Sequence, residues 1–231
     1  GVNSIAGSNF ADTLYGSDNA PGTGEAFEGR AGDDTIDGRG GFDTAVYSND
    51  FTVNAGIVVD LAAGTVTSAS AAIGTDTLRA VEGVRGTNFA DIYDATDFDG
   101  FSTNAGSFGS FNEFEGMGGN DTITGNGNTQ ISFFNATAGV TVDLAAGTAT
   151  GNASVGADTF TGVSGVRGSN FNDTITGDEF NTNLNGLGGN DTIDGGAGDD
   201  TLTGGFGTDT FVFEDGFGYD VVTDFSPGDV L

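Results

Sequence analysis

The sequence has no cysteine, histidine, tryptophan or lysine, and only two prolines and one methionine in 231 residues. Without cysteine no disulfide can staple the fold. Without cysteine or histidine the ordinary zinc and copper sites are excluded. The basic side chains are five scattered arginines that form no patch, and the formal charge is −29. Nucleic acid and anionic membranes are therefore repelled as partners. No apolar run approaches the ~20 residues that cross a bilayer, and no segment keeps a 3.6-residue apolar period over three turns. Membrane insertion and extended helices are not expected. Only carboxylates and Tyr15, Tyr47, Tyr93 and Tyr219 are available as catalytic acids or bases, and no motif organises them, so the chain is not read as an enzyme.

What remains is glycine and acid: 43 glycines and 34 Asp and Glu side chains. They are ordered. GLGGNDTID (residues 186–194), GGAGDDTLT (195–203) and GGFGTDTFV (204–212) follow one another without a gap. Each reads glycine, any, any, glycine, any, aspartate, any, apolar, any, a known calcium-binding β-helix signature. The glycines permit φ > 0 and close backbone approach, and the aspartate supplies a hard oxygen ligand. The apolar residue points inward from a very short strand. Two nonapeptides make one 18-residue coil, and coils stack about 4.8 Å apart as parallel strands. Stacking places aspartates 18 residues apart on either side of one cation.

Stepping back by nines adds residues 177–185 and 168–176, so Ile175, Leu184, Ile193, Leu202 and Phe211 hold the apolar position in turn. Similar blocks occupy residues 29–46 and 116–133, the latter ending in a weaker GNGNTQISF, and DGFGYDVVT (215–223) restores the pattern after two extra residues. A longer period lies over the short one. GSNFADTLYG at Gly7, GTNFADIYDA at Gly86 and GSNFNDTITG at Gly168 are copies, as are GIVVDLAAGTV at Gly56 and GVTVDLAAGTAT at Gly139. The chain is expected to be one elongated all-β solenoid with approximate units 1–80, 81–162 and 163–231. Spacers of unequal length, residues 16–26 and 95–113, belong in loops at its edge. The sequence starts inside a unit and stops after DFSPGDV, as expected of a piece of something longer.

Charge decides when such a chain folds. Self-repulsion adds to the backbone entropy of a glycine-rich chain, so without counter-ions it stays expanded. A cation bound only by the folded state adds about 2.7 kcal/mol per site at 100 times Kd. Several sites in series would supply most of the net stability. Calcium suits an all-oxygen ladder.

These nonapeptides resemble the RTX, or hemolysin-type, repeats of secreted bacterial proteins, most closely over residues 168–223 and well around 29–46 and 116–124. The resemblance implies a calcium-stabilised parallel β-roll with several Ca2+ ions, each held between successive loops by sixth-position aspartates and carbonyls. Carried over, Asp173, Asp191 and Asp209 line one edge and Asp200 and Asp220 the other. Asp12 pairs with Asp34, Glu25 with Asp43, and Asp91 with Asp121. Departures are Phe10, Phe89 and Phe171 at the fourth position, Thr182 in place of an aspartate, and neutral Asn112 and Gln130. The resemblance further implies type I secretion and folding outside the cell, where calcium is millimolar.

Other features have plainer readings. Asp60 and Asp143 are expected in turns or at the surface of a hairpin or a metal-free coil. Asp76 and Asp158 are read the same way, with edge ligation as their alternative. Threonine at the seventh position, as in Thr13, Thr35, Thr44, Thr122, Thr174, Thr192, Thr201 and Thr210, fits exposed strands. The variable ninth position argues against the alternative of an ice-binding face. Most phenylalanines are expected in the core, with Phe98, Phe101, Phe108 and Phe111 as an alternative contact surface. The expected function is a calcium-dependent extracellular structural module, a rod, filament, surface-layer or adhesin stalk, that associates end to end. An accessory roll of a secreted enzyme or toxin is the alternative.

Overall fold

A computed structural model describes residues 3–20, 23–48 and 51–231. Among them there is no helix, and all 21 strands belong to one sheet system. The fold is an all-β parallel β-roll. Outside two hairpins, successive strands alternate between two faces, and each pairs in parallel with the strand one coil away. Ile175 stands beside Ile193 and Ile193 beside Phe211 on one face, while Leu184 stands beside Leu202 on the other. All five are buried, so the nine-residue phase is also the phase of the core. Leu202 then pairs with Val222, 20 residues on, which absorbs the two extra residues. Residues flanking each inward side chain face outward, giving the alternation expected of strands with one covered face.

The first face, that of Leu184, carries strands such as Thr44–Val46, Gly83–Arg85 and Asn112–Glu115, each paired directly with the next. At the corresponding level the second face is wider. Between Thr35–Asp37 and Ile92–Asp94 lie Thr75–Arg79, Thr65–Ser68 and Ile57–Asp60, in antiparallel succession. The second copy repeats this: Thr148–Thr150 and Thr141–Asp143 separate Ala157–Arg167 from Thr174–Asp178. Both VDLAAGT segments are hairpin turns. Asp60 Oδ1 accepts the Ala63 N–H at 2.9 Å and Asp143 Oδ1 the Ala146 N–H at 2.8 Å. Gly64 and Gly147 close the turns at φ 67° and 66°, the left-handed region that favours glycine. These aspartates are turn residues, as expected.

Each hairpin pair adds two strands to the second face and none to the first. The 95–111 spacer packs beside the first insertion. The Thr103 N–H reaches the Ala62 carbonyl, and buried Asn104 bonds both backbone groups of Val81 at 3.1 and 2.7 Å. Phe98 is core, Phe101 is exposed, and the rings of Phe108 and Phe111 lie 5.4 and 5.8 Å from Phe42. The phenylalanines divide by position rather than all filling the core. Those on strands, such as Phe27, Phe114 and Phe211, are buried, whereas Phe10, Phe89, Phe171, Phe180 and Phe206 are exposed on loops. One frame also slips. Asn112 pairs with Thr129, not Gln130, so buried Thr129 takes the sixth-position place and Gln130 reaches Glu113 on the outer surface.

Candidate metal centre

The loops that join the two faces stack into two edges, and a carboxylate ladder runs along each. At every rung one carboxylate oxygen accepts the backbone N–H of the equivalent residue one coil earlier. On the first edge the Asp12 N–H reaches Asp34 Oδ1 at 2.8 Å, Asp91 reaches Asp121 at 2.8 Å, Asp173 reaches Asp191 at 2.8 Å and Asp191 reaches Asp209 at 2.9 Å. On the second edge Glu25 reaches Asp43 at 2.7 Å, Thr182 reaches Asp200 at 2.7 Å and Asp200 reaches Asp220 at 3.0 Å. The expected neighbours are brought together in the expected pairs.

The ladder also holds carboxylates that sequence reasoning set aside or missed. For Asp76 and Asp158, read as turn or surface residues with edge ligation as the alternative, the alternative fits: Asp76 Oδ1 accepts the Asp34 N–H at 3.0 Å and Asp158 Oδ1 the Asp121 N–H at 2.9 Å. Both are buried rungs of the first edge. Glu82 is a rung of the second edge, and Asp229 extends the first beyond Asp209. A parallel row uses the residue before the aspartate. Asn172 Oδ1 accepts the Asn190 N–H at 2.8 Å, Asn190 Oδ1 the Thr208 N–H at 2.9 Å and Asn181 Oδ1 the Asp199 N–H at 3.0 Å. The recurrent Asn or Asp at the fifth position was the visible signal for it.

One oxygen of each carboxylate is thus spent on backbone, and the other decides the chemistry. The second oxygens of Asp34, Asp43, Asp76, Glu82, Asp121, Asp191, Asp200 and Asp220 are buried without a hydrogen-bond partner. Such a group is costly unless something compensates its charge. Burial accordingly pushes Asp43, Asp76 and Asp191 up to about 7 and Asp121 up to about 9, with neighbouring carboxylates adding to the rise and the accepted N–H bonds opposing it. The first glycine of each loop exists for this oxygen: a Cβ on Gly186 would lie 2.2 Å from Asp191 Oδ2. The second loop position is left-handed even where it is not glycine, at Arg30 (φ 72°), Arg39 (66°), Met117 (65°) and Leu187 (71°). That conformation is strained for such residues and persists only where the surroundings over-determine it.

Asp12, Asp91 and Asp173, in the NF-containing loops, are engaged differently. Both oxygens of Asp173 are taken: Oδ2 accepts the Ser169 N–H at 2.6 Å, and Oδ1 accepts the Ser169 hydroxyl at 2.7 Å and the Val140 N–H at 2.8 Å. Asp91 does the same with Thr87 and the Ile57 N–H, and the N–H and hydroxyl of Ser8 both bond Asp12 Oδ2. Glu25 is held by the Ser17 hydroxyl.

The residues fit a hard divalent cation. The donors are all oxygen, the second oxygens are desolvated and unpaired, and the ion pairs among the described residues involve other acids, Glu28, Glu113 and Glu115. No group of three carboxylates converges among the described residues. Each site would therefore combine two stacked carboxylates with backbone carbonyls.

The RTX calcium-binding nonapeptide repeat family matches the chain in four copies, over residues 1–20, 27–45, 109–129 and 176–211. The chain carries RTX calcium-binding repeats. No curated protein matches it. The matched RTX stretches contain Asp12, Asp34, Asp43, Asp121, Asp191, Asp200 and Asp209. They leave out Asp76, Glu82, Asp91, Asp158, Asp173 and Asp220, which the roll nevertheless sets in the same ladders. Among the described residues no helix is long and apolar enough to cross a membrane.

Proposed function

We propose that this chain is a calcium-dependent structural module of an extracellular RTX-type protein, a rod, stalk or filament segment whose stiffness is switched on by calcium. The observation that carries the reading is the stack of buried carboxylate oxygens without partners along both edges. Calcium would be held between Asp12 and Asp34, Asp91 and Asp121, Asp173 and Asp191, and Asp191 and Asp209 on the first edge. On the second edge it would lie between Glu25 and Asp43 and between Asp200 and Asp220. Bound there, it supplies positive charge and oxygen coordination where the protein has no cationic side chain. The glycine-rich backbone and the −29 charge favour the expanded chain. Binding several ions supplies the opposing free energy. Secretion as an unfolded chain into millimolar calcium is the setting such a switch requires.

Circular dichroism with and without chelator tests this: β-structure is expected to appear only as calcium reaches the millimolar range. A folded spectrum unchanged by chelator overturns it. End-to-end association of copies belongs to the same reading, because parallel rungs add by repetition. Light scattering across a calcium titration checks it, and monomers at saturating calcium would leave the chain a spacer.

A further inference from the structure

We propose that the metal ladder runs on through two carboxylates outside every nonapeptide, Asp76 and Glu82, which close one divalent-cation site with Asp34 and another with Asp43. The inference rests on the calcium reading above and extends it to Asp76, whose GTDTL keeps only the second half of a nonapeptide, and to Glu82, whose sequence keeps none of it. The family match stops at residue 45 and resumes at 109. Asp76 lies in GTDTL, directly after the first hairpin, and Glu82 lies in RAVEGVR.

The geometry nevertheless repeats that of the nonapeptides. Asp76 Oδ1 accepts the Asp34 N–H at 3.0 Å and Glu82 Oε2 accepts the Asp43 N–H at 3.1 Å, as Asp209 does for Asp191. Asp76 and Glu82 are both 0% exposed. At both rungs the two facing carboxylates each keep one buried, unpartnered oxygen: Asp34 Oδ2 with Asp76 Oδ2, and Asp43 Oδ2 with Glu82 Oε1. Two like charges desolvated side by side, with no cationic side chain between them, are costly unless a cation or a proton compensates them, and a cation shared by both free oxygens does so at neutral pH.

The substitute parts are visible. Where a nonapeptide places its own first glycine over the free oxygen, Glu82 uses a glycine of the following spacer: a Cβ on Gly106 would lie 1.9 Å from Oε1. Where a nonapeptide has a left-handed second residue, this short loop has Ala80 at φ 49°. A cavity-forming glycine and a left-handed residue thus recur at Glu82 without the motif that normally encodes them. On the other edge the buried Tyr47 phenol lies close enough to Asp76 that the carboxylate adds to the upward push of burial on it.

Calorimetric titration of the whole chain with calcium tests the assignment, using Glu82→Gln and Asp76→Asn beside Asp191→Asn and Asp60→Asn. Both amides keep the side-chain volume and an oxygen to accept the N–H, so the fold in calcium is expected to survive. Each is expected to bind at least one calcium fewer than the parent chain, as Asp191→Asn does, while Asp60→Asn binds the full complement. Terbium in place of calcium should give tyrosine-sensitised emission that falls in both Asp76→Asn and Tyr47→Phe, with the ion count of Tyr47→Phe unchanged. A full complement in Glu82→Gln and Asp76→Asn, with loss in Asp191→Asn, overturns the proposal and leaves the calcium reading standing. A full complement in Asp191→Asn as well, or no calcium bound by the parent chain, overturns the reading itself.

Discussion

The backbone N–H of Asp173 points at Oδ1 of Asp191, 2.8 Å away and 18 residues on, while Oδ2 of Asp191 has no partner. The relation divides this pair of stacked loops into a residue that is held and a residue that is owed a cation. Asp173 has both oxygens occupied, whereas Asp191 carries its charge into a desolvated loop. Neighbouring aspartates of one ladder should therefore respond unequally to neutralisation.

Asp191→Asn is expected to raise the calcium midpoint strongly, with loss of about 2.7 kcal/mol of calcium-linked stability per site removed at 100 times Kd. Asp173→Asn should do less, because hydrogen bonds to Ser169 already satisfy it, and Asp60→Asn, at a hairpin turn, should do least. Calcium titrations followed by circular dichroism give the order. Equal midpoints for Asp191→Asn and Asp60→Asn would contradict the register.

The Ser169 and Thr87 hydroxyls are expected to matter in the opposite condition. Each bonds its own loop's aspartate in a buried place. Ser169→Ala and Thr87→Val should cost about 1 kcal/mol each, by loss of a hydrogen bond, and leave the number of bound ions unchanged. Thermal melts in calcium measure the first quantity and calorimetry the second. A lost ion would mean that these hydroxyls support metal sites directly.

Acid should partly replace calcium. Burial raises the folded-state values of Asp43, Asp76 and Asp191 to about 7 and of Asp121 to about 9, above the ~3.9 of an unfolded aspartate. A raised value means that protonation favours the folded chain. The contribution is complete below about pH 4 and is lost as pH rises through 7 to 9. In calcium-depleted buffer, β-structure is expected to be greater at pH 5 than at pH 8. The calcium midpoint should rise as pH falls from 8 to 6, because the ion competes with protons for the same oxygens. A midpoint independent of pH would show that these carboxylates are ionised before the metal arrives.

Two glycines separate crowding from backbone strain. Gly186→Ala puts a methyl 2.2 Å from Asp191 Oδ2 and is expected to cost about 1–3 kcal/mol and to weaken calcium binding. Gly109→Ala, at φ 66° with nothing within 4 Å of the added carbon, should cost only the ~1–2 kcal/mol of a left-handed residue and leave calcium binding intact. Melting temperatures and calcium midpoints of the two variants test the contrast.

Most of the roll was legible because its core and its carboxylates share one period. Ile175, Leu184, Ile193, Leu202 and Phe211 fixed the phase, while the two VDLAAGT copies, readable as a hairpin or a metal-free coil, are hairpins in the fold. Legibility failed where three-dimensional neighbours stop being 18 residues apart. Asp34 meets Asp76 across 42 residues and Asp43 meets Glu82 across 39, since a hairpin or a short loop intervenes. No spacing rule reaches across such a detour. At Thr129 the loop is one residue short, so the apolar Ile131, not the counted frame, sets the register. The unlike behaviour of Asp173 and Asp191 was written at the second position, serine against leucine, but its meaning required the folded loop.

The paired hairpins have a consequence for how such a chain tolerates changes in length. One residue inserted between Gly186 and Val212 would turn later apolar side chains toward solvent and carry the carboxylates out of line. A strand that leaves the coil, doubles back and returns beside the strand it started from is free of that arithmetic, since its turn can grow or shrink without moving the rungs on either side. The two VDLAAGT segments are thus joints at which units can be gained, lost or altered while the charge rows on both edges remain continuous.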